Sequence, residues 1–175
     1  MNITTNFFLH PMKQYGVREL SRISHKDTKT VMKYLKELVR EKIIVKKKEK
    51  GKYPHYEANR TSYIYKHEKS EALVKKIIAS GLIEFLEEKF EPKVIVLFGS
   101  VQKGTYHQES DVDIFLQSHH QIIDLSLFNK KVGYPIKLFC EENLHSLSKG
   151  LLSNIYNGIV LSGKLEVSIN AGIML

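Results

Sequence analysis

The 175 residues carry a net charge of +8, 42% hydrophobic residues, eight histidines and one cysteine. That length holds one ordinary domain or two small ones with enough apolar sequence for a core. Cys140 alone excludes an intramolecular disulfide, and with the scattered histidines it supplies neither the paired thiolates nor the HExxH helix of a zinc site.

The opening MNITTNFFLHPMK lacks the apolar core of a secretory signal, and no apolar run approaches the roughly 20 residues that span a bilayer. A soluble, cytoplasmic protein without a membrane partner is expected. The charge is unevenly spread: residues 1–70 hold 17 Lys+Arg against 7 Asp+Glu, and residues 71–175 hold 10 against 12. A cationic excess in one segment fits a polyanion partner, because clustered cations release counterions from phosphates. A solvated lysine-rich surface accounts for the same numbers.

In chain order, Thr4 or Thr5 is placed to cap a short helix carrying Phe7, Phe8 and Leu9 that ends near Pro11, and a second helix is predicted from Val17 through Ile23. From Asp27 a third helix follows, in which Val31, Met32, Leu35, Leu38 and Val39 recur at three- and four-residue spacing and form one stripe. Lys26, Lys29, Lys33 and Lys36 lie largely off it. The run IIVKKKEKGKYPHYEAN then predicts a β-hairpin with a charged tip at Gly51 and a second strand from Tyr53 to Ala58. Asn59 to Ser70 reads as a polar connector with Tyr63 and Tyr65 as packing residues. Residues 71–90 read as a helix that Gly81 is able to break. The domain boundary is expected within residues 60–75, dividing 1–65 from 66–175.

Two short helices, a longer helix with a basic exposed face and a basic hairpin form a series that resembles the winged helix-turn-helix domain. That resemblance implies double-stranded DNA as partner, with the third helix in the major groove and the hairpin, or wing, on the backbone. It implies Lys26, Thr28, Lys29, Thr30 and Lys33 as the recognition surface, and Lys46, Lys47, Lys48, Lys50 and Lys52 as phosphate contacts. Winged helices also serve as protein-interaction modules.

The chemistry lies further on. KVIVLFGS (Lys93 to Ser100) predicts a nearly all-apolar strand ending in Gly-Ser, and DVDIFL (Asp111 to Leu116) a second strand opening with two carboxylates. At i and i+2 on a strand, Asp111 and Asp113 project to one face about 7 Å apart, so that their oxygens can converge on one hard cation. Aspartates at strand starts are also common as solvated turn residues.

GSVQKGTYHQESDVD (Gly99 to Asp113) closely resembles the signature of the DNA polymerase beta-like nucleotidyltransferase superfamily, particularly its minimal members. Their pattern is a strand, Gly-Ser, three residues, a second Gly, then Ser-Asp-x-Asp on the next strand. Gly99, Ser100, Gly104, Ser110, Asp111 and Asp113 occupy those places, and the resemblance runs over roughly residues 72–167. It implies a small mixed sheet flanked by helices, so that the whole chain is α+β. It also implies Asp111 and Asp113 as catalytic carboxylates holding magnesium or manganese on the phosphates of ATP or another nucleoside triphosphate. Gly99, Ser100, Lys103, Gly104 and Ser110 would surround that nucleotide. Glycine admits a phosphate close to the backbone, and Ser100 offers a hydroxyl and an amide. A P-loop is excluded because Thr105 follows Gly104 where Lys-Ser/Thr is required.

After a predicted helix with Ile123, Leu125, Leu127 and Phe128, GYPIKLFCEENL (Gly133 to Leu144) resembles the family's third strand. Its second residue is normally a third acid that completes the metal cluster and helps activate the attacking hydroxyl; here that place falls on Lys137. Asp124, Glu141 and Glu142 lie outside the motif as alternative bases. Leu151 to Val167 predicts a helix packed on the sheet and then a short strand or turn.

Together the resemblances imply magnesium-dependent AMP transfer from ATP to a hydroxyl acceptor, joined to a DNA-binding regulatory module. Minimal relatives often act as antitoxins that modify HEPN-type toxins, and a winged helix would let such a protein repress its own operon. The alternative is a catalytically degenerate, nucleotide-binding transcriptional regulator, which Lys137 favours. A palindromic operator would call for a homodimer. A drug-modifying transferase fits less well, since such enzymes capture cationic drugs with abundant acids and the second half is only slightly negative.

Overall fold

A computed structural model of the chain describes residues 3–166. The elements run α1 (Ile3–Leu9), α2 (Val17–Ser24), α3 (Thr28–Arg40), β1 (Ile44–Lys47), β2 (His55–Ala58), α4 (Tyr63–Ala79), α5 (Leu82–Phe90), β3 (Val94–Phe98) and α6 (Gly99–Gln102). Then come β4 (Val112–Leu116), α7 (Ser126–Val132), β5 (Ile136–Cys140), a 3-10 turn (Leu144–Ser146), α8 (Lys149–Tyr156) and β6 (Ile159–Gly163). The architecture is α+β. One compact unit takes the chain up to Lys76 together with Lys103–Asp111, and the other takes Ile77–Gln102 together with the chain from Val112 onward.

In the first unit α1, α2, α3 and the antiparallel β1–β2 pair enclose a core that includes Phe7, Tyr15, Leu20, Val31, Leu35, Ile44 and Tyr65. Tyr15 adds a one-residue bridge to β2, exchanging backbone hydrogen bonds of 2.9 Å with Tyr56 in both directions. The Asp27 carboxylate starts α3 by accepting the Thr30 amide at 2.9 Å and the Thr30 hydroxyl at 2.6 Å, which satisfies a donor that the first turn would leave open. Val31, Leu35 and Leu38 are buried, whereas Met32 is 48% exposed, so the apolar stripe of α3 is narrower than its sequence suggests. Thr4 and Thr5 lie inside α1, which begins at Ile3, and neither is its cap.

The segment expected to be a polar connector is helical from Tyr63. Its buried row is Tyr65, Lys69, Leu73 and Ile77, each four residues after the last. Lysine within that row disguises the helix as polar sequence. The Tyr65 hydroxyl donates to the Phe7 carbonyl at 2.9 Å and its ring packs edge-on against Phe8, while Tyr63 is 78% exposed and does not pack as expected. Helix α4 ends at Ala79 and α5 begins at Leu82, with the expected break at Gly81.

The second unit is built on a four-stranded mixed sheet in the order β5-β4-β3-β6, where β3 runs antiparallel to β4 and β6 and β4 runs parallel to β5. All five residues of β3 are buried, as befits a central strand covered on both faces. Val94, Val96, Phe98 and Phe115 pack with Ile155 of α8. Helix α5 buries Leu82, Ile83, Leu86 and Phe90, and α7 buries Phe128 and Val132. Helix α7 starts at Ser126, later than expected, because the Asp124 carboxylate accepts the Ser126 amide at 2.8 Å and its hydroxyl at 2.9 Å; Ile123 and Leu125 therefore precede the helix. The expected final helix and strand are α8 and β6; Val167, the end of that predicted tail, lies outside the described residues. Among the described residues no helix is long and apolar enough to cross a membrane.

Candidate nucleotide site and basic face

Strand β3 delivers the chain to Gly99, and strand pairing decides what stands beside it. Phe98 pairs with Asp113 across the antiparallel ladder, and Asp113 pairs with Lys137 across the parallel one. Directly paired residues share a face of a sheet. The side chains of Asp113 and Lys137 thus emerge next to one another, Asp113 half-buried and Lys137 exposed.

Gly99 has φ 77°, in the left-handed region, and a Cβ built on it would fall onto Oδ2 of Asp113 and stand 3.3 Å from its Cγ. Glycine is required there for conformation and for space, because any side chain would displace the carboxylate. Ser100 follows on the four-residue α6, half-buried like Asp113. Asp111 is also half-buried and stands one residue before β4, so the strand opens one position later than expected.

Among the described residues no group of three or more His, Cys, Asp or Glu side chains is gathered as a metal cluster. Asp111 and Asp113 still fit magnesium or manganese chemically. Magnesium is commonly held by one or two carboxylates and completes its octahedron with substrate phosphates and water. Asp124 and Glu141 suit the role of base poorly: hydrogen bonds from Ser126 lower the pKa of Asp124, and those from Asn143 and Ser146 lower that of Glu141.

The rest of the motif lies on the loop Lys103–Asp111, which belongs to the first unit. Gly104 has φ 65°, and a Cβ there would collide with the Lys66 carbonyl of α4, lying 2.6 Å from its carbon. Two residues on, Tyr106 is buried; its hydroxyl donates to the Lys69 carbonyl at 2.9 Å, while the Lys69 ammonium donates to the Tyr106 carbonyl. The Ser110 hydroxyl accepts the His107 amide at 2.9 Å and closes the loop tip, and Lys103 is exposed. Lys66, Lys69 and Tyr106 thus hold the loop. Sequence reasoning passed over all three, and the pairing of residues 37 apart leaves no local pattern that would betray it.

Residues 79–144 match the family model of the nucleotidyltransferase domain. That stretch runs from the end of α4 to the start of the 3-10 turn and holds Gly99, Ser100, Asp111, Asp113 and Lys137. The chain carries a nucleotidyltransferase-type domain. A search of curated proteins found no match to the chain.

On the first unit, Lys26, Thr28, Lys29 and Lys33 are exposed at the start of α3, with Lys26 over the Tyr34 ring at 5.7 Å. Thr30 is half-buried, its hydroxyl engaged with Asp27. On the hairpin Lys46, Lys47, Lys48, Lys50 and Lys52 are all exposed. Lys47 pairs with Glu57 at 2.7 Å and Lys52 with Glu49 at 2.6 Å, so these two carry less uncompensated charge than the other three.

Proposed function

We propose that the chain transfers a nucleoside monophosphate, AMP from ATP, onto a hydroxyl acceptor, and that its first unit is a winged-helix module that binds double-stranded DNA. The observation that carries the transferase reading is the Asp113 carboxylate lying against the bare backbone of Gly99, inside a stretch that matches the nucleotidyltransferase family. Glycine at position 99 leaves that carboxylate the space a Cβ would take. Ser100 and the exposed Lys103 offer a hydroxyl and a positive charge to phosphate oxygens, and Asp111 and Asp113 would hold the metal. Magnesium or manganese bound there would supply charge neutralisation for the departing pyrophosphate. The acceptor hydroxyl oxygen would attack the alpha phosphorus and give up its proton to solvent, the bond to the bridging oxygen would break, and pyrophosphate would leave.

The DNA reading rests on the helix order, the exposed lysines of α3 and the basic hairpin. A cytoplasmic autoregulator that modifies a HEPN-type toxin partner joins the two activities, and a homodimer would suit a palindromic operator. A second reading, a nucleotide-binding transcriptional regulator without transfer, is favoured by one observation: Lys137 occupies the strand position paired with Asp113, where a third carboxylate would help activate the acceptor.

The test is incubation of the protein with alpha-labelled ATP, magnesium and a lysate of its native host, in parallel with the Asp111→Asn, Asp113→Asn double variant. Label on a macromolecule with the unaltered protein alone is the expected result. Magnesium-dependent ATP binding without transfer would select the regulator. Equal ATP binding by both proteins would refute the site itself.

A further inference from the structure

A cavity of about 430 Å³ lies within the first unit, lined by Pro11, Met12, Arg60, Tyr65, Lys66, Lys69, Gly104, Thr105 and His107. Its ionisable lining consists of Arg60, Lys66, Lys69, His107 and Tyr65, with no carboxylate. Among the described residues no ion pair joins Arg60, Lys66 or Lys69 to an acid.

Lys69 is the unusual member. It is 1% exposed, its ammonium sits 4.3 Å from the centre of the Tyr106 ring and 5.8 Å from that of Tyr65, and its hydrogen bond goes to a neutral carbonyl. Burial pushes its pKa down to about 8. An ammonium buried without a counter-charge is costly, and an anion in the space it lines would offset that cost. The volume is in the range of small-ligand sites, and Pro11, Met12 and Tyr65 add an apolar wall to the cations.

We propose that this cavity is an anion site that binds a small phosphate-bearing molecule through Arg60, Lys66 and Lys69. Of the signature residues it is lined by Gly104 and by none of Gly99, Ser100, Asp111 and Asp113, so it can be tested with both aspartates replaced. The same Lys66 and Lys69 hold Gly104 and Tyr106, so an occupant stiffens the loop that leads to Asp111. Free phosphate, the pyrophosphate released by transfer and a nucleotide share the required chemistry.

The site is tested by titration calorimetry of the full chain in the Asp111→Asn, Asp113→Asn background with EDTA, which silences metal-dependent nucleotide binding. Inorganic phosphate, pyrophosphate and AMP are titrated separately, and the tightest of the three identifies the source. Arg60→Ala with Lys66→Ala should weaken that binding at least tenfold; Arg60 is exposed and Lys66 only half-buried, so the fold is retained. Hydrogen exchange of residues 103–107 should slow with the anion present. No binding of any of the three anions, or binding that the double alanine variant leaves unchanged, would overturn the proposal. Neither result bears on ATP transfer, whose own test uses magnesium and intact aspartates.

Discussion

Replacing Lys69 with Met keeps the bulk of the side chain and removes its charge, and the consequence is a change in how stability depends on pH. In the native protein the Lys69 pKa is about 8, against 10.5 for an ordinary lysine. Near neutral pH the group is protonated both folded and unfolded, and the native state bears the whole cost of the buried charge, up to about 3 kcal/mol at about 1.4 kcal/mol per pH unit of difference. Above about pH 8 the native group gives up its proton while the unfolded chain keeps it, so the unfolded state binds more protons and stability rises with pH. Relative to Lys69→Met, the unaltered protein should gain about 2 kcal/mol between about pH 7 and about pH 9.5. Loss of the donor to the Tyr106 carbonyl costs the variant about 1–3 kcal/mol, an offset that does not vary with pH. Tyr65, whose pKa burial raises, is present in both proteins and cancels. Urea unfolding of the two proteins followed by circular dichroism across that range measures the difference. Parallel curves would refute the account, for then Lys69 would titrate no differently folded than unfolded.

Four other outcomes follow from particular contacts. Gly104→Ala places a Cβ against the Lys66 carbonyl in a left-handed conformation and should destabilise the chain by about 2–5 kcal/mol, read from urea midpoints. Gly99→Ala should leave unfolding cooperative and abolish magnesium-dependent ATP binding in calorimetry, because its methyl group displaces the Asp113 carboxylate; retained affinity would contradict the proposed site. Lys137→Asp puts a third carboxylate beside Asp113 and should tighten magnesium binding in the presence of ATP; an unchanged affinity would mean that this strand position does not face the metal. Replacing Lys46, Lys47 and Lys48 by Ala should lower DNA affinity and flatten its salt dependence by about two units of log–log slope, since each released phosphate contact is worth about 0.9 and Lys47 is already paired with Glu57. A slope that did not move would remove the hairpin from the phosphate contacts.

The Gly-Ser turn, the second glycine and the two aspartates could be read in the sequence as identities at fixed spacing, but the neighbours that demand glycine could not: the Asp113 carboxylate stands against Gly99 and the Lys66 carbonyl against Gly104. Lys137 could be matched to its strand place because a strand repeats every two residues, and β5 pairs it with Asp113. The start of α4 was hidden by Lys69, a charged residue in a row of otherwise apolar buried positions. Periodicity sorts residues by polarity and misfiles a cation whose partners, the Tyr106 carbonyl and two aromatic rings, come partly from a distant loop. Met32 fails in the opposite direction: it is apolar and falls near the α3 stripe, but one residue of rotation carries it to the surface. Asp124 two residues before Ser126 is a local turn pattern, and sequence reasoning passed over it in favour of the apolar Ile123 and Leu125.

The division of the chain also bears on how the protein can be taken apart. It leaves the first unit at Lys76, returns to it at Lys103 and leaves again after Asp111, so neither unit is a single stretch of polypeptide. A fragment starting at Ile77 would keep the whole signature from Gly99 to Asp113 yet lose Lys66 and Lys69, leaving Tyr106 an uncovered ring and Gly104 a hinge with nothing to lean on. The boundary that looks natural in the gene is therefore a poor place to cut, and a transplanted nucleotidyltransferase-type half would need the helix preceding it to keep its own loop in order.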